Sequence, residues 1–280
     1  MKYKALFLDV DNTLLSNTRQ VSKGNLEAIR RAQAAGIFVT VATGRGYLGA
    51  ADVWKQLDVR GPVIVYGGSK VVDTRTGKAV FMAPIDPALI HEALLSAKEW
   101  GIHAQVYQGD TIIFGEENEF TKRYTEFLNL PAVADPDFLN REWLDVPKIL
   151  AYAEPGEQER VMGRRFRERF AGRLEVASSM PGFIELNHFG VNKGTTLMRT
   201  AELLGIRPEE TVGVGDNTLD LEMVKLAGLG VCVENGQQVV KDAADVVAPA
   251  CEDDGVAWVI DNILLSEEGS EHYQKRIHHG

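Results

Sequence analysis

The chain has 280 residues, 45% of them apolar and 25% charged, an ordinary globular composition with room for one large α/β domain or two smaller ones. Its net charge of −10 argues against a nucleic-acid backbone as partner, because that binding needs a basic face, although a few local Lys and Arg still suffice for a small phosphate. No window approaches the roughly 18 consecutive apolar residues of a membrane span, so no membrane partner is expected either.

The N-terminal Met1-Lys2-Tyr3-Lys4 leads into an apolar run that Asp9 interrupts. That run is too short for a signal-peptide core, and a cytoplasmic location is expected. Residues 3–10 read as a buried strand of a parallel sheet with its carboxyl end exposed. Ser22 then suits an N-cap, Leu26, Ile29 and Ala32 recur at helical spacing, and Gly36 is a stop. A second apolar strand covers 37–42 and runs into Thr43-Gly44-Arg45; a third covers 63–66 and runs into Gly67-Gly68. Strands alternating with helices predict a parallel sheet with right-handed crossovers.

From about 84 to 188 the pattern changes. Asp86-Pro87 caps a helix that Gly101 ends. Residues 103–106 and 111–114 form one predicted hairpin, around Gln108-Gly109-Asp110, and 174–178 and 183–186 form another, around Pro181-Gly182. A strand at 148–153 and a charged helix at 157–170 lie between them. Adjacent hairpins imply an antiparallel sheet, and a separate inserted domain is the simplest explanation.

After the insertion the first pattern returns, with helices at 193–204, 221–227, 239–243 and 256–264 and strands at 211–214, 231–233 and 246–248. The predicted fold is therefore a doubly wound parallel-sheet core, from residues 1–83 and 189–280, with an inserted α/β cap at 84–188. The tail from 266 is polar, and His278-His279 reads as a loose end rather than a metal site. Cys232 and Cys251 form no CxxC pair and read as small buried or half-buried residues of a reducing compartment.

The chemistry-bearing residues sit at strand ends, where α/β sheets bind ligands. Asp9 and Asp11 follow the first strand, and residues i and i+2 of an extended segment point the same way. They converge on one ligand or, more blandly, form a capped turn. Asp216 and Asp220, within Gly215-Asp216-Asn217-Thr218-Leu219-Asp220, bring two more carboxylates to the same edge. Magnesium prefers a few carboxylates together with water and phosphate oxygens. Asp9, Asp216 and the carbonyl of the Asp11 loop would supply that set. Asp220 either supports a neighbour, caps the helix beginning there or ligates directly.

Thr43 and Gly44, at another strand end and helix start, offer a hydroxyl and backbone N–H groups to phosphate oxygens. Lys193 opens a helix, where a cation is unfavourable unless an anion lies nearby. Arg45 either touches substrate or makes a surface ion pair.

Together DVDNT at 9–13, ATGR at 42–45, NKG at 192–194 and GDNTLD at 215–220 resemble the haloacid dehalogenase superfamily over nearly the whole chain. The length of the insertion, GVAWVI at 255–260 and ELNHFGVNKG before Lys193 resemble its Cof-type phosphatases. The resemblance implies a magnesium-dependent phosphatase acting on a small phosphorylated metabolite. In it Asp9 is the nucleophile and Asp11 the general acid and base, while Thr43, Gly44 and Lys193 hold phosphoryl oxygens. Asp9, Asp11 through its carbonyl, and Asp216 bind the metal, with Asn217 and Asp220 behind them.

Two positions depart from the family pattern: Leu219 stands where asparagine is usual, and Gly67-Gly68 replaces an Asn-Gly pair. A phosphomutase or phosphotransferase, or a phosphate-ligand binding protein without turnover, are the competing readings. In the insertion, His103, Gln105, Tyr107, Phe183 and His188 are candidates for reading the leaving group.

Overall fold

A computed structural model describes residues 2–16, 20–128, 130–273 and 275; His278 and His279 lie outside them. The core opens with β1 (Ala5–Leu8), which is wholly buried, and α1 (Lys23–Ala34), whose N-cap Ser22 accepts a hydrogen bond from the Asn25 amide. β2 (Phe38–Val41), α2 (Ala51–Gln56) and β3 (Pro62–Val65) follow.

Here the structure corrects the sequence reading. β3 lies alongside β2 in the predicted parallel sense, through an Ala42–Ile64 bridge, the Thr43 amide on the Ile64 carbonyl and Thr40 Oγ1 on the Pro62 carbonyl, but its ladder is with β4 (Lys70–Asp73), which pairs with β5 (Lys78–Met82), both antiparallel. The cause is the turn after β3, where Tyr66, Gly67 and Gly68 all have positive φ, 54°, 65° and 111°. Such a turn sends the chain straight back rather than into a crossover.

The inserted region begins with α3 (Pro87–Glu99), N-capped by Asp86, followed by β6 (His103–Gln108) and β7 (Thr111–Phe114). Next come α4 (Glu119–Leu128), β8 (Ala132–Ala134), β9 (Ile149–Tyr152), α5 (Glu157–Arg169), β10 (Leu174–Ser178) and β11 (Phe183–His188). Its strands form one six-stranded sheet in the order β10-β11-β9-β6-β7-β8, antiparallel except between β7 and β8.

The pleat sorts this sheet into two faces. Val106, Ile149, Ala151, Ile184 and Leu186 bury one face against Ile90 and Leu94 of α3 and Phe166 of α5. The other face carries Gln105, Tyr107, Lys148, Glu185 and Asn187, all buried, and looks towards the core.

The chain returns with α6 (Lys193–Leu203), β12 (Thr211–Gly215), α7 (Leu221–Leu226), β13 (Leu229–Val233), α8 (Gln238–Ala243) and β14 (Val246–Ala248). The predicted last helix is α9 (Gly255–Val259) continuing as a π-turn to Leu264, and a further helix, α10 (Glu267–His272), follows it.

The core sheet runs β14-β13-β12-β1-β2, all parallel, as expected of a doubly wound domain. Leu8 lies opposite both Val214 and Val41, so the carboxyl ends of β1, β2 and β12 finish level at one edge. Among the described residues no helix is long and apolar enough to cross a membrane, and Cys232 and Cys251 are buried and free.

Candidate active site

That level edge collects the motif residues. Asp9 extends β1 by one rung, its amide donating to the Val214 carbonyl, and it is 3% exposed. The chain then folds on itself: Leu14 and Leu15 donate amides to Val10, and Asn12 takes a left-handed φ of 62° that asparagine tolerates. This turn places Asp11 beside Asp9 at the rim.

Lys193, the first residue of α6, is fully buried and donates to Asp9 Oδ1 and Asp220 Oδ1, each at 2.5 Å. The anions that compensate a cation at this helix start are thus the protein's own carboxylates. Asp220 spends its other oxygen on the amides of Asp216 and Asn217, at 3.1 and 3.2 Å, which fixes the loop after β12. Asp216 Oδ1 accepts from Thr13 Oγ1 at 3.2 Å and Asn217 Nδ2 at 3.1 Å.

Asp9, Asp216 and Asp220 thus bring carboxylate oxygens within 4.8 Å of one another in a buried site. One ammonium does not balance three carboxylates. Burial, then Asp220, push the Asp9 carboxyl up to about 7 in spite of Lys193; burial, then Asp9, push Asp216 up to about 9. Asp9 Oδ2 is buried with no hydrogen-bond partner. An unfilled carboxylate oxygen beside a second strained carboxylate is a donor set that fits a hard divalent cation, with Asp9 and Asp216 as the side chains to hold it.

A stability prediction follows for the metal-free protein. Asp9 and Asp216 hold protons more readily folded than unfolded, so their contribution is full below the ordinary carboxylate range. It is lost as pH rises through about 7 and then about 9. Chelator-treated protein should melt about 5 °C lower at pH 9 than at pH 6, and magnesium should restore the loss at pH 9 far more than at pH 6. Scanning fluorimetry of wild type beside Asp216→Asn checks this: the variant should show a flatter profile. A wild-type melting temperature as high at pH 9 as at pH 6 would count against it.

Around the carboxylates, Arg45 grips Asp11 with two prongs, Nε to Oδ2 at 2.8 Å and Nη2 to Oδ1 at 2.5 Å, and its Nη1 donates to the Gly49 carbonyl. It is mostly buried, so its pair with Asp11 is not a surface one. Thr43 is buried, its hydroxyl accepting the Arg45 amide at 3.1 Å, and its side chain is not part of the cavity wall.

The cavity has Asp9, Asp11, Gly44, Arg45 and Asn217 on the core side. The opposite wall is built by the inserted sheet and α4, with Tyr124, Lys148, Met180, Phe183 and Glu185. Only about 40 Å³ of free space remains between them, so the insertion lies close over the edge.

Polar contacts hold it there. Tyr66 Oη donates to the Gly109 carbonyl at 2.6 Å, Lys148 Nζ to the Gly44 carbonyl at 2.7 Å, and Thr218 Oγ1 to the Ser178 carbonyl at 2.9 Å.

Of the five candidates in the insertion, Phe183 alone is in the cavity wall. Gln105 and Tyr107 stand behind it, Gln105 Nε2 donating to Tyr107 Oη, which shares a 2.6 Å hydrogen bond with Tyr124 Oη. His103 contacts Gln105 and Asn118, and His188 is exposed. Tyr124, Lys148 and Glu185 were missed in the sequence reading, although period-2 alternation from Ile184 and Leu186 points Glu185 to the face opposite the buried aliphatics.

The two departures from the family pattern meet in space. A Cβ added to Gly67 would sit 3.3 Å from Leu219 Cδ1 and 3.2 Å from Asn187 Oδ1, and one on Gly44 would sit 3.0 Å from Leu219 Cδ2. Leu219 thus fills the space over two side-chain-free positions. Asn187 of the insertion anchors the same spot, its Nδ2 donating to the Tyr66 carbonyl and Ser69 Oγ at 2.9 and 2.8 Å.

Comparison with known proteins gives consistent matches. The family described as haloacid dehalogenase-like hydrolase matches residues 6–260. A Bacillus subtilis protein named 5-amino-6-(5-phospho-D-ribitylamino)uracil phosphatase YcsE is 27% identical, with 94% of this chain and 96% of that protein covered. An Arabidopsis thaliana protein named chloroplastic endoribonuclease YBEY is also 27% identical over 92% of this chain, which spans only 46% of that relative. The structure of a haloacid dehalogenase-like hydrolase from B. subtilis superposes with a TM-score of 0.83 at 26% identity, covering 93% of this chain and 99% of that one.

Proposed function

This chain belongs to the haloacid dehalogenase-like hydrolases and is a phosphatase of that family, and from there we propose that it hydrolyses a small phosphomonoester through an aspartyl-phosphate on Asp9, with magnesium as its metal. The observation that carries the reading is the buried, unfilled Asp9 Oδ2, on a carboxylate that Lys193 holds by its other oxygen and that clusters with Asp216 and Asp220 beside the cavity.

Asp9 attacks phosphorus, and the ester oxygen leaves with a proton from Asp11. Water then attacks the acyl-phosphate after giving its proton back to Asp11, and orthophosphate departs. Lys193 holds Asp9 in line and offsets charge on the non-bridging oxygens, with Gly44 and Thr43 supplying the loop against which the phosphoryl group lies. Arg45 orients Asp11, and because its two prongs occupy both Asp11 oxygens, one of them must let go for Asp11 to carry the proton to the ester oxygen. Asp220 and Asn217 steady Asp216 and its loop. Magnesium, held by Asp9, Asp216 and the Asp11 carbonyl, would neutralise the dianionic phosphate and fix its approach.

In this reading 84–188 is the cap that closes over the site, excludes water and reads the leaving group. Relatives named for a phosphoribitylamino-uracil support a small phosphorylated metabolite as substrate. Free, buried cysteines support a reducing compartment, and the cytoplasm belongs to the same proposal.

The test is a phosphate-release screen over phosphorylated metabolites and p-nitrophenyl phosphate, with magnesium or with chelator. Release should occur with magnesium and fall at least about a hundredfold with chelator. Equal release in both conditions would reject the metal, and no release from any ester would reject the phosphatase.

A further inference from the structure

One buried group over the site has no part in that chemistry. Lys148, just before β9, and Glu185 of β11 face the cavity from the inserted sheet, their side chains 2% and 3% exposed, with Nζ and Oε2 2.6 Å apart. Glu185 Oε1 accepts from Ser179 Oγ at 2.6 Å. The Lys148 ammonium donates to the Gly44 carbonyl and lies 4.8 Å from the centre of the Tyr107 ring. Oε2 is taken up by this ammonium as an ion pair, while Oε1, which among the described residues accepts from Ser179, keeps acceptor capacity.

Burying two charges costs several kcal/mol each, and a well-packed apolar pair often serves stability as well. An ion pair retained in a cavity wall, whose Glu185 Oε1 has acceptor capacity beyond its bond from Ser179, is suited to a ligand's donor. The charges nearby restrict that ligand further. Arg45 is taken up by Asp11, Lys193 by Asp9 and Asp220, and Lys148 by Glu185. Among the described cavity-lining residues, every cation therefore already has a carboxylate, and a carboxylate on the leaving group would face Glu185 and Asp11 instead.

We infer that Glu185, held by Lys148 and Ser179, determines specificity by accepting a hydrogen bond from a hydroxyl or amine of the leaving group, so that the substrates are phosphorylated polyols or amino alcohols and not phosphorylated carboxylic acids. The inference rests on the phosphatase reading and narrows it. Tyr124, Met180 and Phe183 supply the apolar wall along the carbon chain. A site built around a hydrogen bond rejects the analogue lacking that group far more strongly than an apolar pocket rejects a missing methylene.

The test uses three matched esters: glycerol phosphate, propyl phosphate without the hydroxyls, and 3-phosphoglycerate with a carboxylate. Wild type should favour glycerol phosphate in kcat/KM by at least about thirtyfold over each of the others. Lys148→Met/Glu185→Leu removes both charges together and leaves neither orphaned. In it the glycerol-to-propyl ratio should fall at least about tenfold. Should that variant fail to fold, Glu185→Gln is the substitute, and the ratio should fall at least about threefold, as the carboxamide is the weaker acceptor.

If the pair were only a latch to Gly44, both esters would suffer alike. An unchanged ratio, a wild type without the preference, or efficient turnover of 3-phosphoglycerate each overturns the inference. Failure to release phosphate even from p-nitrophenyl phosphate would instead remove the phosphatase reading beneath it.

Discussion

Asp9→Asn should lose phosphate release by at least about a hundredfold with every ester, while keeping the fold. The carboxamide matches the carboxylate in shape but has no charge with which to attack phosphorus, and among the described residues Asp9 Oδ2 is the one oxygen of the cluster that is buried without a hydrogen-bond partner. Asp216 hydrogen-bonds Thr13 and Asn217, Asp220 is taken up by Lys193 and two amides, and Asp11 is gripped by Arg45. Removing one charge from the crowded cluster should also lift the melting temperature of the metal-free protein at pH 9. Turnover and melting thus move in opposite directions, which separates lost chemistry from lost folding. A variant retaining more than a tenth of wild-type turnover with its melting temperature unchanged would overturn the assignment of Asp9.

Lys193→Met should damage both properties. The methionine fills similar volume but leaves Asp9 and Asp220 buried without their shared cation. Breaking a buried pair on one side costs about 3–5 kcal/mol, equivalent to a fall of roughly 10 °C in a chain of this size. Turnover should fall at least about a hundredfold, since the group that aligns the nucleophile and offsets phosphoryl charge is gone. The deficit in stability should shrink at pH 6, where Asp9 and Asp216 are protonated in the fold, and grow at pH 9. A melting temperature within about 2 °C of wild type would show that the carboxylates are compensated some other way.

Much of the core was legible because its strands are short apolar runs that end on a charge. Parallel register then brings such ends together without any knowledge of side-chain contacts. Hence Asp9 and Asp216 could be read as neighbours from β1 and β12, whereas Lys193, at a helix start, was placed with them only by the family resemblance.

The antiparallel β3-β4-β5 sheet was missed for a definite reason: 63–66 looks like any buried crossover strand, and the turn that reverses it uses Tyr66 at a φ that tyrosine seldom takes. α4 was missed because its polar residues mask the apolar spacing of Phe120 and Tyr124.

The cavity roof was hardest to see. Lys148 and Glu185 become partners only after β9 and β11 pair, and each alone resembles a surface charge. Similarly, Leu219 makes sense only beside the two glycines it covers.

In the proposed reading the inserted cap moves while the charges on the floor stay fixed. Lys193 follows closely on β11, so a swing of the lid threatens to drag the ammonium off Asp9. The backbone prevents this at Asn192, whose carbonyl lies where any side chain at Gly68 would have to go, 2.4 Å from such a Cβ. Thr196 Oγ1 donates to the Gly68 carbonyl at 2.8 Å, and a reciprocal Asn192–Thr195 cap locks the first turn of α6. Upstream, Gly190 at φ 75° joins the two sides, its amide donating to Glu175 of β10 and its carbonyl accepting from Thr195 of α6. In the proposed reading this short stretch would act as a bearing between cap and floor, insulating the floor from each cycle of entry and exit.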